Sequence, residues 1–461
     1  MTVQQYDLVV IGSGPAGQKA AIAAAKLRKR VAIIDRKRMI GGVCVHTGTI
    51  PSKTLREAIL YLSGYRQRTF YGRDYAVKDH ITVKDLAFRV DAVVRREIEV
   101  IRAQLRRNDV EVLCGDARFV DAHTIEIESE TEKVQVGAAF VVIACGTRPS
   151  HSPDIVLDGQ RIVDSDQLLR VPVMHRNAIV LGAGVIGLEY ASMLAALGVE
   201  ITIIDARAKL LEFVDEEMIE TLCVHMRGIK ATFRLGEKVE KVEVDDRERV
   251  VAKLESGKRV IAEGLIYTAG RQTNSDLLNL GAAGVDADAR GRIPVNEDFQ
   301  TCAPHIYAAG DVIGFPSLAS SSMEQGRLAA CHAFGKPCAS APDLYPYGIY
   351  TIPEISMVGK NEQQLTAAKI PYETGVARFE ELAKGQMIGD ETGRLKLLFD
   401  PDTRKLIGVH AIGDGVTELI HIGQAVIAFG GTIDYLRDTV FNYPTLAEAY
   451  KVAALDGLNK L

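Results

Sequence analysis

A glycine-rich segment, Gly41–Lys53, carries residue types that can take part in redox chemistry. Its thiol is Cys44, and five positions further along the chain stands Thr49. Two cysteines at this spacing could carry two electrons as a dithiol, but a hydroxyl forms no disulfide. Electrons that reach this segment must therefore leave by another route. The segment ends at Lys53, which taken alone is best explained as a solvated surface lysine.

Two other segments predict dinucleotide binding, because each reads as a strand, a glycine turn, a helix, a second strand and an acid. Their glycines and acids are Gly12, Gly14, Gly17 and Asp35 in the first segment, and Gly182, Gly184, Gly187 and Asp205 in the second. The acid follows the third glycine by 18 residues in both (35 − 17 and 205 − 187).

The spacing of these residues has a physical reason. The first glycine permits a tight turn, the second lets a pyrophosphate approach the backbone, and the third lets the helix pack closely on the strand. The phosphates meet unpaired N–H groups at the helix N-terminus, and the carboxylate can accept hydrogen bonds from a ribose diol. Two such sites in one chain indicate an enzyme that moves electrons between two cofactors.

Further turns support this layout. Buried strands end in glycine turns at Gly146 and Gly270, and we expect these ends to close the two nucleotide-binding units. Another strand ends at Asp311, where an acid beside a nucleotide cleft can hold ligand oxygens. Ordinary turn chemistry explains Asp311 equally well. From about Tyr345 the pattern changes to strands around a turn and then helices, which predicts a third, α+β unit.

The bulk properties exclude several classes of protein. A length of 461 residues predicts more than one domain, and a net charge of −5 argues against a dedicated nucleic-acid binder. No run of about 18 apolar residues is present, so we expect no membrane span. The seven cysteines are scattered and odd in number, so they do not indicate a disulfide framework. We therefore expect the protein in the reducing cytoplasm. We expect no metal site.

These features together resemble the flavin-dependent pyridine nucleotide–disulfide oxidoreductases over essentially the whole chain. The segment Phe441–Leu455 contributes to the resemblance and also departs from the pattern. Members of the family typically carry a histidine, the acid/base for the thiol, at the place of Tyr443. With Thr49, this is the second independent loss of thiol chemistry. Within the family, a chain with both departures resembles the group of soluble pyridine nucleotide transhydrogenases.

The resemblance implies an α/β fold with two Rossmann-like dinucleotide-binding domains and a C-terminal α+β dimerisation domain. The implied FAD-binding domain spans residues 1–150 and 272–342, and the implied NAD(P)-binding domain spans residues 151–271. The remainder, 343–461, would be the interface of a homodimer or a higher homo-oligomer.

The resemblance also implies roles for individual residues. The residues implied to hold FAD are Gly12, Gly14, Gly17, Asp35, Lys53, Gly146, Asp311 and Ala319. The residues implied to hold the nicotinamide nucleotide are Gly182, Gly184, Gly187, Glu189, Asp205, Arg207 and Gly270. Lys53 would pair with Glu189 near flavin N5, and Cys44 and Tyr443 are the other catalytic candidates. Cys44 is equally well explained as a small buried apolar residue, and Arg207 as a solvated loop cation.

The implied activity is Si-specific hydride transfer from NADPH to NAD+ through FAD, by a ping-pong route that needs one nicotinamide site and no redox disulfide. The alternative is an NAD(P)H quinone reductase or diaphorase, which differs only in its electron acceptor. The missing cysteine disfavours a dihydrolipoyl dehydrogenase. The retained Lys53–Glu189 pair disfavours a non-catalytic flavin-bearing scaffold or nucleotide sensor.

Overall fold

The fold was examined in a computed structural model, which describes residues 3–36, 39–72, 74–171, 173–336 and 344–461. The chain divides into two compact units. Unit 1 comprises residues 1–55, 87–150 and 270–342, and unit 2 comprises residues 56–86, 151–269 and 343–461. The boundary that the sequence predicts at 342–343 lies outside the described residues.

Unit 1 is built on a mixed sheet in which the strand Gln4–Ile11 lies in the middle. In spatial order the strands are Glu111–Cys114, Val31–Asp35, Gln4–Ile11, Lys133–Ile143, Thr124–Glu128 and Asp116–Phe119, and Ile306–Ala308 also pairs with Lys133–Ile143. The nucleotide-binding half of the sheet is parallel. Near-continuous runs of Val and Ile form these strands because helices cover both faces of a parallel sheet.

The helices of unit 1 complete this packing. Those that contribute to it are Pro15–Lys26, Gly42–His46, Thr49–Leu62, Val83–Arg107 and Ala319–Ala333. The end of Thr49–Leu62 and the beginning of Val83–Arg107 belong to unit 2. Single 3₁₀ turns occupy Ser275–Leu277, Leu280–Ala283 and Asp311–Ile313. A separate antiparallel pair joins Thr147–Pro149 to Arg271–Thr273, next to the points where the chain passes between units.

Unit 2 contains the second parallel sheet. Its strands, in spatial order, are Ala231–Leu235, Glu200–Asp205, Asn177–Leu181, Gly264–Tyr267 and Ile162–Asp164. The helices Val185–Ala196 and Glu216–Gly228 belong to this sheet, and the antiparallel strands Val239–Val244, Val250–Leu254 and Arg259–Ala262 form a smaller sheet beside it. Short helical turns lie at Tyr65–Gln67, Arg68–Tyr71 and Leu168–Arg170.

The C-terminal part of unit 2 is an antiparallel sheet with helices. Its strands, in spatial order, are Tyr347–Ile349, Glu354–Gly359, Leu406–Gly413, Arg394–Phe399 and Glu373–Arg378. The helical segments are Glu362–Ala367, Phe379–Glu381, Ala383–Ile388, Val416–Ala428, Ile433–Asp438 and Glu448–Leu458. A buried apolar core that includes Phe379, Phe399 and Tyr450 fixes the helices on the sheet.

The predicted fold class is confirmed, since two parallel nucleotide-type sheets precede an α+β region. The last helix begins at Glu448 behind half of a capping box. The Thr445 backbone N–H donates to Glu448 Oε2 at 3.4 Å, but the Thr445 hydroxyl donates to the carbonyl of Asn442 and caps no helix N–H. Within the described residues, no helix is both long and apolar enough to span a membrane.

Candidate active site

The first glycine turn joins the strand Gln4–Ile11 to the helix Pro15–Lys26. Gly12 has a φ of 105°, and a Cβ there would lie 2.3 Å from the carbonyl oxygen of Ala144. A Cβ on Gly17 would lie 1.8 Å from the carbonyl oxygen of Gly12. A Cβ on Gly14, by contrast, would have no heavy atom within 4 Å. The first and third glycines therefore shape the turn, whereas the second leaves open space at the helix N-terminus.

Asp35 closes this turn from the end of the next strand. Its Oδ2 accepts hydrogen bonds from the Ser13 backbone N–H, at 2.8 Å, and from the Ser13 hydroxyl. Its Oδ1 accepts the backbone N–H of Arg36 at 2.6 Å. Burial raises the pKa of Asp35 above its ordinary value, although these hydrogen bonds act in the opposite direction. A carboxylate has further acceptor capacity, so Asp35 can still bind a ribose diol.

The redox-type segment lies beside Asp311. Cys44 is in the short helix Gly42–His46, and the side chain of Thr49 hydrogen bonds to its sulfur. Burial raises the pKa of Cys44, and the negative charge of Asp311 raises it further, while Thr49 and the charge of Lys53 lower it. Cys44 is therefore a protonated thiol, which is a poor nucleophile.

Asp311 begins a 3₁₀ turn directly after Gly310. Its Oδ2 accepts a hydrogen bond from the Thr147 hydroxyl at 3.3 Å. Burial raises the pKa of Asp311, opposed by the Arg271 charge and by the hydrogen bond from Thr147. Unit 1 thus brings Asp311, Cys44 and Lys53 into one electrostatic neighbourhood at the carboxyl end of its sheet.

The second glycine turn, in unit 2, repeats the geometry of the first. Gly182 has a φ of 108°, and a Cβ on Gly187 would lie 1.9 Å from the carbonyl oxygen of Gly182. A Cβ on Gly184 would again have no heavy atom within 4 Å. The helix Val185–Ala196 starts here without a side-chain cap, as does the helix after the first turn.

Asp205 has a different environment from Asp35. Its Oδ2 accepts the backbone N–H of Ala183 at 2.6 Å, and both of its oxygens accept from the Arg207 guanidinium, at 2.9 and 2.7 Å. Burial raises the pKa of Asp205, but the hydrogen bonds from Arg207 and the backbone outweigh it, so the pKa lies below the ordinary value. Arg207 is thus paired with the acid, and its side chain is 57% exposed.

Glu189 lies in the helix that follows the second glycine turn and is 4% exposed. Its Oε1 accepts the backbone N–H of Tyr350 at 2.9 Å. Lys53 belongs to unit 1 and Glu189 to unit 2, and their pairing stays a prediction.

The remaining predicted residues lie in turns or at helix ends. Gly146 and Gly270 have positive φ values, 64° and 119°, beside the paired strands Thr147–Pro149 and Arg271–Thr273. Ala319 is the first residue of the helix Ala319–Ala333. Tyr443 is 75% exposed. Their predicted roles remain predictions.

Sequence reasoning missed Ser13, Thr147 and Arg271. Each makes its contact through the fold: Ser13 touches an acid on another strand, and Thr147 and Arg271 meet across two distant strands. Small polar residues in turns give no periodic signal. The glycines around Ser13 predict a bound ligand, but they do not predict that the Ser13 hydroxyl holds Asp35.

One group of acids in the described residues has the spacing of metal ligands, Asp215, Glu217 and Glu362. The ammonium of Lys396 contacts all three carboxylates. The chain therefore supplies its own cation at this cluster.

Both glycine turns fit a dinucleotide. Each presents an uncapped helix N-terminus of a 12-residue helix, a glycine that faces open space, and an acid held beside the turn by a backbone N–H. In unit 1, the loop glycine Gly42 also approaches: a Cβ there would lie 3.0 Å from the Cα of Gly14. Such a cradle admits a pyrophosphate against the backbone.

Comparisons with known proteins agree with this geometry. The chain is 54% identical over its full length to the soluble pyridine nucleotide transhydrogenase of Mycobacterium bovis BCG, covering 98% of that protein. It is 45% identical to the enzyme of the same name from Klebsiella pneumoniae, over 99% of this chain and 98% of the relative. The HOCl-induced flavoprotein disulfide reductase RclA from Escherichia coli superposes with a TM-score of 0.87 at 25% identity, covering 98% of this chain and 99% of RclA.

Family profiles cover almost all of the sequence. The profile of the pyridine nucleotide-disulphide oxidoreductases matches residues 6–326, and the profile of their dimerisation domain matches residues 345–454. The chain belongs to the pyridine nucleotide-disulphide oxidoreductase family.

Proposed function

We propose that this protein is an FAD-dependent transhydrogenase that transfers a hydride from NADPH to NAD+. The observation that carries the proposal is the combination of two open glycine turns with Thr49 in place of a second redox thiol. The names of relatives at 54% and 45% identity support it. When bound, FAD would accept a hydride and donate it again.

Unit 1 holds FAD in this proposal. Gly12, Gly14 and Gly17 receive the pyrophosphate at the helix N-terminus, and Asp35 accepts from the adenosine ribose. Ala319 and Gly146 belong to the same binding surface. Asp311 accepts from the ribityl chain. The ammonium of Lys53 stabilises negative charge near N5, and Glu189 orients Lys53.

Unit 2 holds NADPH and NAD+ in turn. Gly182, Gly184 and Gly187 receive the pyrophosphate, and Asp205 accepts from a free ribose 2′-hydroxyl. A 2′-phosphate would be repelled by Asp205 and attracted by Arg207. Arg207 is largely exposed, so its guanidinium can turn from the acid to the phosphate. The buried Asp205 would then keep the backbone N–H groups of Ala183 and Arg207 as hydrogen-bond donors.

The proposal has three finer parts. Transfer is Si-specific: NADPH deuterated at the pro-S position of C4 should give NADP+ that has lost the deuterium, and NADP+ that keeps this deuterium would contradict it. The protein acts in the cytoplasm, in keeping with the free thiols of the described cysteines; a fractionation that finds it elsewhere would contradict this.

The third finer part is assembly. The C-terminal region forms a homodimer in which the segment with Tyr443 contributes to the partner's site, a proposal supported by the dimerisation-domain profile. Light scattering should give at least a dimer, and deletion from Phe441 onward should lower both association and activity. A fully active monomer would contradict it.

Turnover of NADPH with the NAD+ analogue thio-NAD+ tests the function. Purified yellow protein should reduce thio-NAD+ faster than it reduces quinones, and it should not reduce lipoamide or glutathione disulfide. Rapid quinone reduction without transfer to thio-NAD+ would favour the quinone reductase alternative instead. A folded, colourless protein that cannot be reconstituted with FAD would overturn both functions.

A further inference from the structure

Three side chains in unit 1 form a connected chain that ends on Asp311. The Arg271 Nε donates to the Thr147 hydroxyl at 2.8 Å, and the same hydroxyl donates to Asp311 Oδ2 at 3.3 Å. A hydroxyl has one donor and two acceptor sites, so Thr147 can make both bonds at once. Because Arg271 uses one acceptor site, the Thr147 proton is directed towards Asp311.

The backbone fixes the part of this chain of bonds that joins Arg271 to Thr147. Arg271 also donates from Nη2 to the Thr147 carbonyl at 2.9 Å, so the guanidinium holds Thr147 at two atoms. The antiparallel pairing of Thr147–Pro149 with Arg271–Thr273 sets the distance between them. Thr147 is 8% exposed, which leaves its hydroxyl little competition from water.

Asp311 needs such support because it is the acid proposed to accept hydrogen bonds from the flavin side chain. Its desolvation disfavours the ionised form, while the Arg271 charge and the Thr147 hydroxyl favour it. Of the other titratable groups at this site, the Lys53 ammonium and the Cys44 thiol share its electrostatic neighbourhood. Without the hydrogen bond from Thr147, the Asp311 carboxyl would be more easily protonated, or it would rotate out of the orientation in which it accepts hydrogen bonds.

We propose that Thr147 and Arg271 are positioning residues for FAD, which act by holding Asp311 in the orientation that accepts hydrogen bonds from the ribityl chain. This inference rests on the proposed function, because it assumes that unit 1 binds FAD. The chain passes between the two units at 150–151 and at 269–270, next to the strands Thr147–Pro149 and Arg271–Thr273. In this inference the same two strands also hold Asp311 in place.

The test compares two ligands on full-length protein stripped of flavin. ADP probes only the glycine turns and their acids, in either unit, whereas FAD also probes the ribityl contacts of Asp311. Thr147→Val removes the hydroxyl at nearly constant volume and should weaken FAD binding about tenfold, the effect expected of a hydrogen bond to a charged group. ADP affinity should stay within about twofold of wild type.

Thr147→Ser is the matched control, because it keeps the hydroxyl and should restore wild-type FAD affinity. Arg271→Met should weaken FAD binding less than Thr147→Val and leave ADP unchanged; it carries the test if Thr147→Val does not fold. FAD affinity at the wild-type level in the variants, or an equal loss of FAD and ADP, would overturn the inference. Wild-type protein that binds ADP but not FAD would instead overturn the proposed function.

Discussion

The two glycine turns have nearly the same backbone but opposite electrostatics at their acids. In both, the acid accepts the backbone N–H of the residue between the first two glycines, at 2.8 Å for Asp35 and 2.6 Å for Asp205. Asp35 is then held by a neutral hydroxyl and has a raised pKa, whereas Asp205 is held by a guanidinium and has a lowered pKa.

This difference suits a resident ligand in one turn and an exchanging ligand in the other. An acid whose side-chain partner is a neutral hydroxyl can be satisfied by one fixed ribose. An acid paired with an exposed arginine offers two recognition states, the acid for a 2′-hydroxyl and the arginine for a 2′-phosphate. Under the proposed function, the strand–turn–helix backbone would receive a dinucleotide in both units, and the partners of the acid would determine which dinucleotide binds.

Substitution of glycines should give the largest effect and should separate the two turns. Gly17→Ala places a Cβ against the Gly12 carbonyl and should destabilise the protein by about 3 kcal/mol, the upper range for overpacking, with loss of FAD. Denaturant unfolding and flavin content measure this. Unchanged stability would show that the turn is not as tight as described.

The second glycines provide the matched control. Gly14→Ala and Gly184→Ala point into open space, so the fold should tolerate both. Gly14→Ala should weaken FAD binding and Gly184→Ala should weaken nicotinamide binding, each with little effect on the other ligand. If either variant weakens both ligands equally, the assignment of one cofactor to each turn is wrong.

Exchange of the acid in the second turn should give the next largest effect. Asp205→Ala removes an acceptor for the 2′-hydroxyl and frees Arg207, so kcat/KM should shift towards NADPH by about 5- to 150-fold, as expected for about 1–3 kcal/mol. Arg207→Ala should shift it towards NADH by less. Unchanged kcat/KM values with both nucleotides in both variants would show that this pair does not face the ribose.

Substitutions at Ser13 and at Ala183, the residues between the first two glycines of each turn, should have a smaller effect on ligand affinity. Ser13→Ala removes a hydrogen bond that lowers the pKa of Asp35, so this pKa should rise further. Since the ionised acid accepts best from the ribose, FAD affinity should begin to fall at a higher pH during acidification than in wild type. Ala183→Ser is the counterpart and should change nicotinamide affinity little. Identical pH profiles of FAD binding in wild type and Ser13→Ala would contradict this.

The smallest expected effect is that of restoring the second cysteine. Thr49→Cys should leave lipoamide and glutathione disulfide reduction near background, because Tyr443 stands where the resembled family has the histidine that serves its thiols as acid/base. Steady NADH-linked reduction of a disulfide, in this variant or in wild type, would contradict this prediction. It would show that electrons from the flavin can leave to a disulfide and not only to a second nucleotide.

The sequence predicts what depends on short spacing. The glycines and acids of both turns are recognisable because each role falls at a fixed distance along a strand–turn–helix unit. The partners of Asp205 and Asp311 are harder to predict. Arg207 stands two residues from its acid, and the sequence alone leaves open whether it is solvated. Thr147 and Asp311 are 164 positions apart, and only strand pairing brings them together.

The long helix Val83–Arg107 and the division of the chain at 55–56 and 86–87 were also not predicted. This helix is amphipathic, but no glycine or catalytic motif marks it. Its position depends on packing of apolar residues such as Leu105, which is 1% exposed, against distant parts of the chain. Packing partners of this kind are not encoded by local spacing.

An initial-rate study with NADPH and thio-NAD+ tests the central claim most directly, namely that one turn keeps its cofactor while the other serves both nucleotides in turn. The account predicts parallel lines in double-reciprocal plots, because the first nucleotide must leave before the second enters. Intersecting lines, which would mean that both nucleotides are bound at once, would contradict the account.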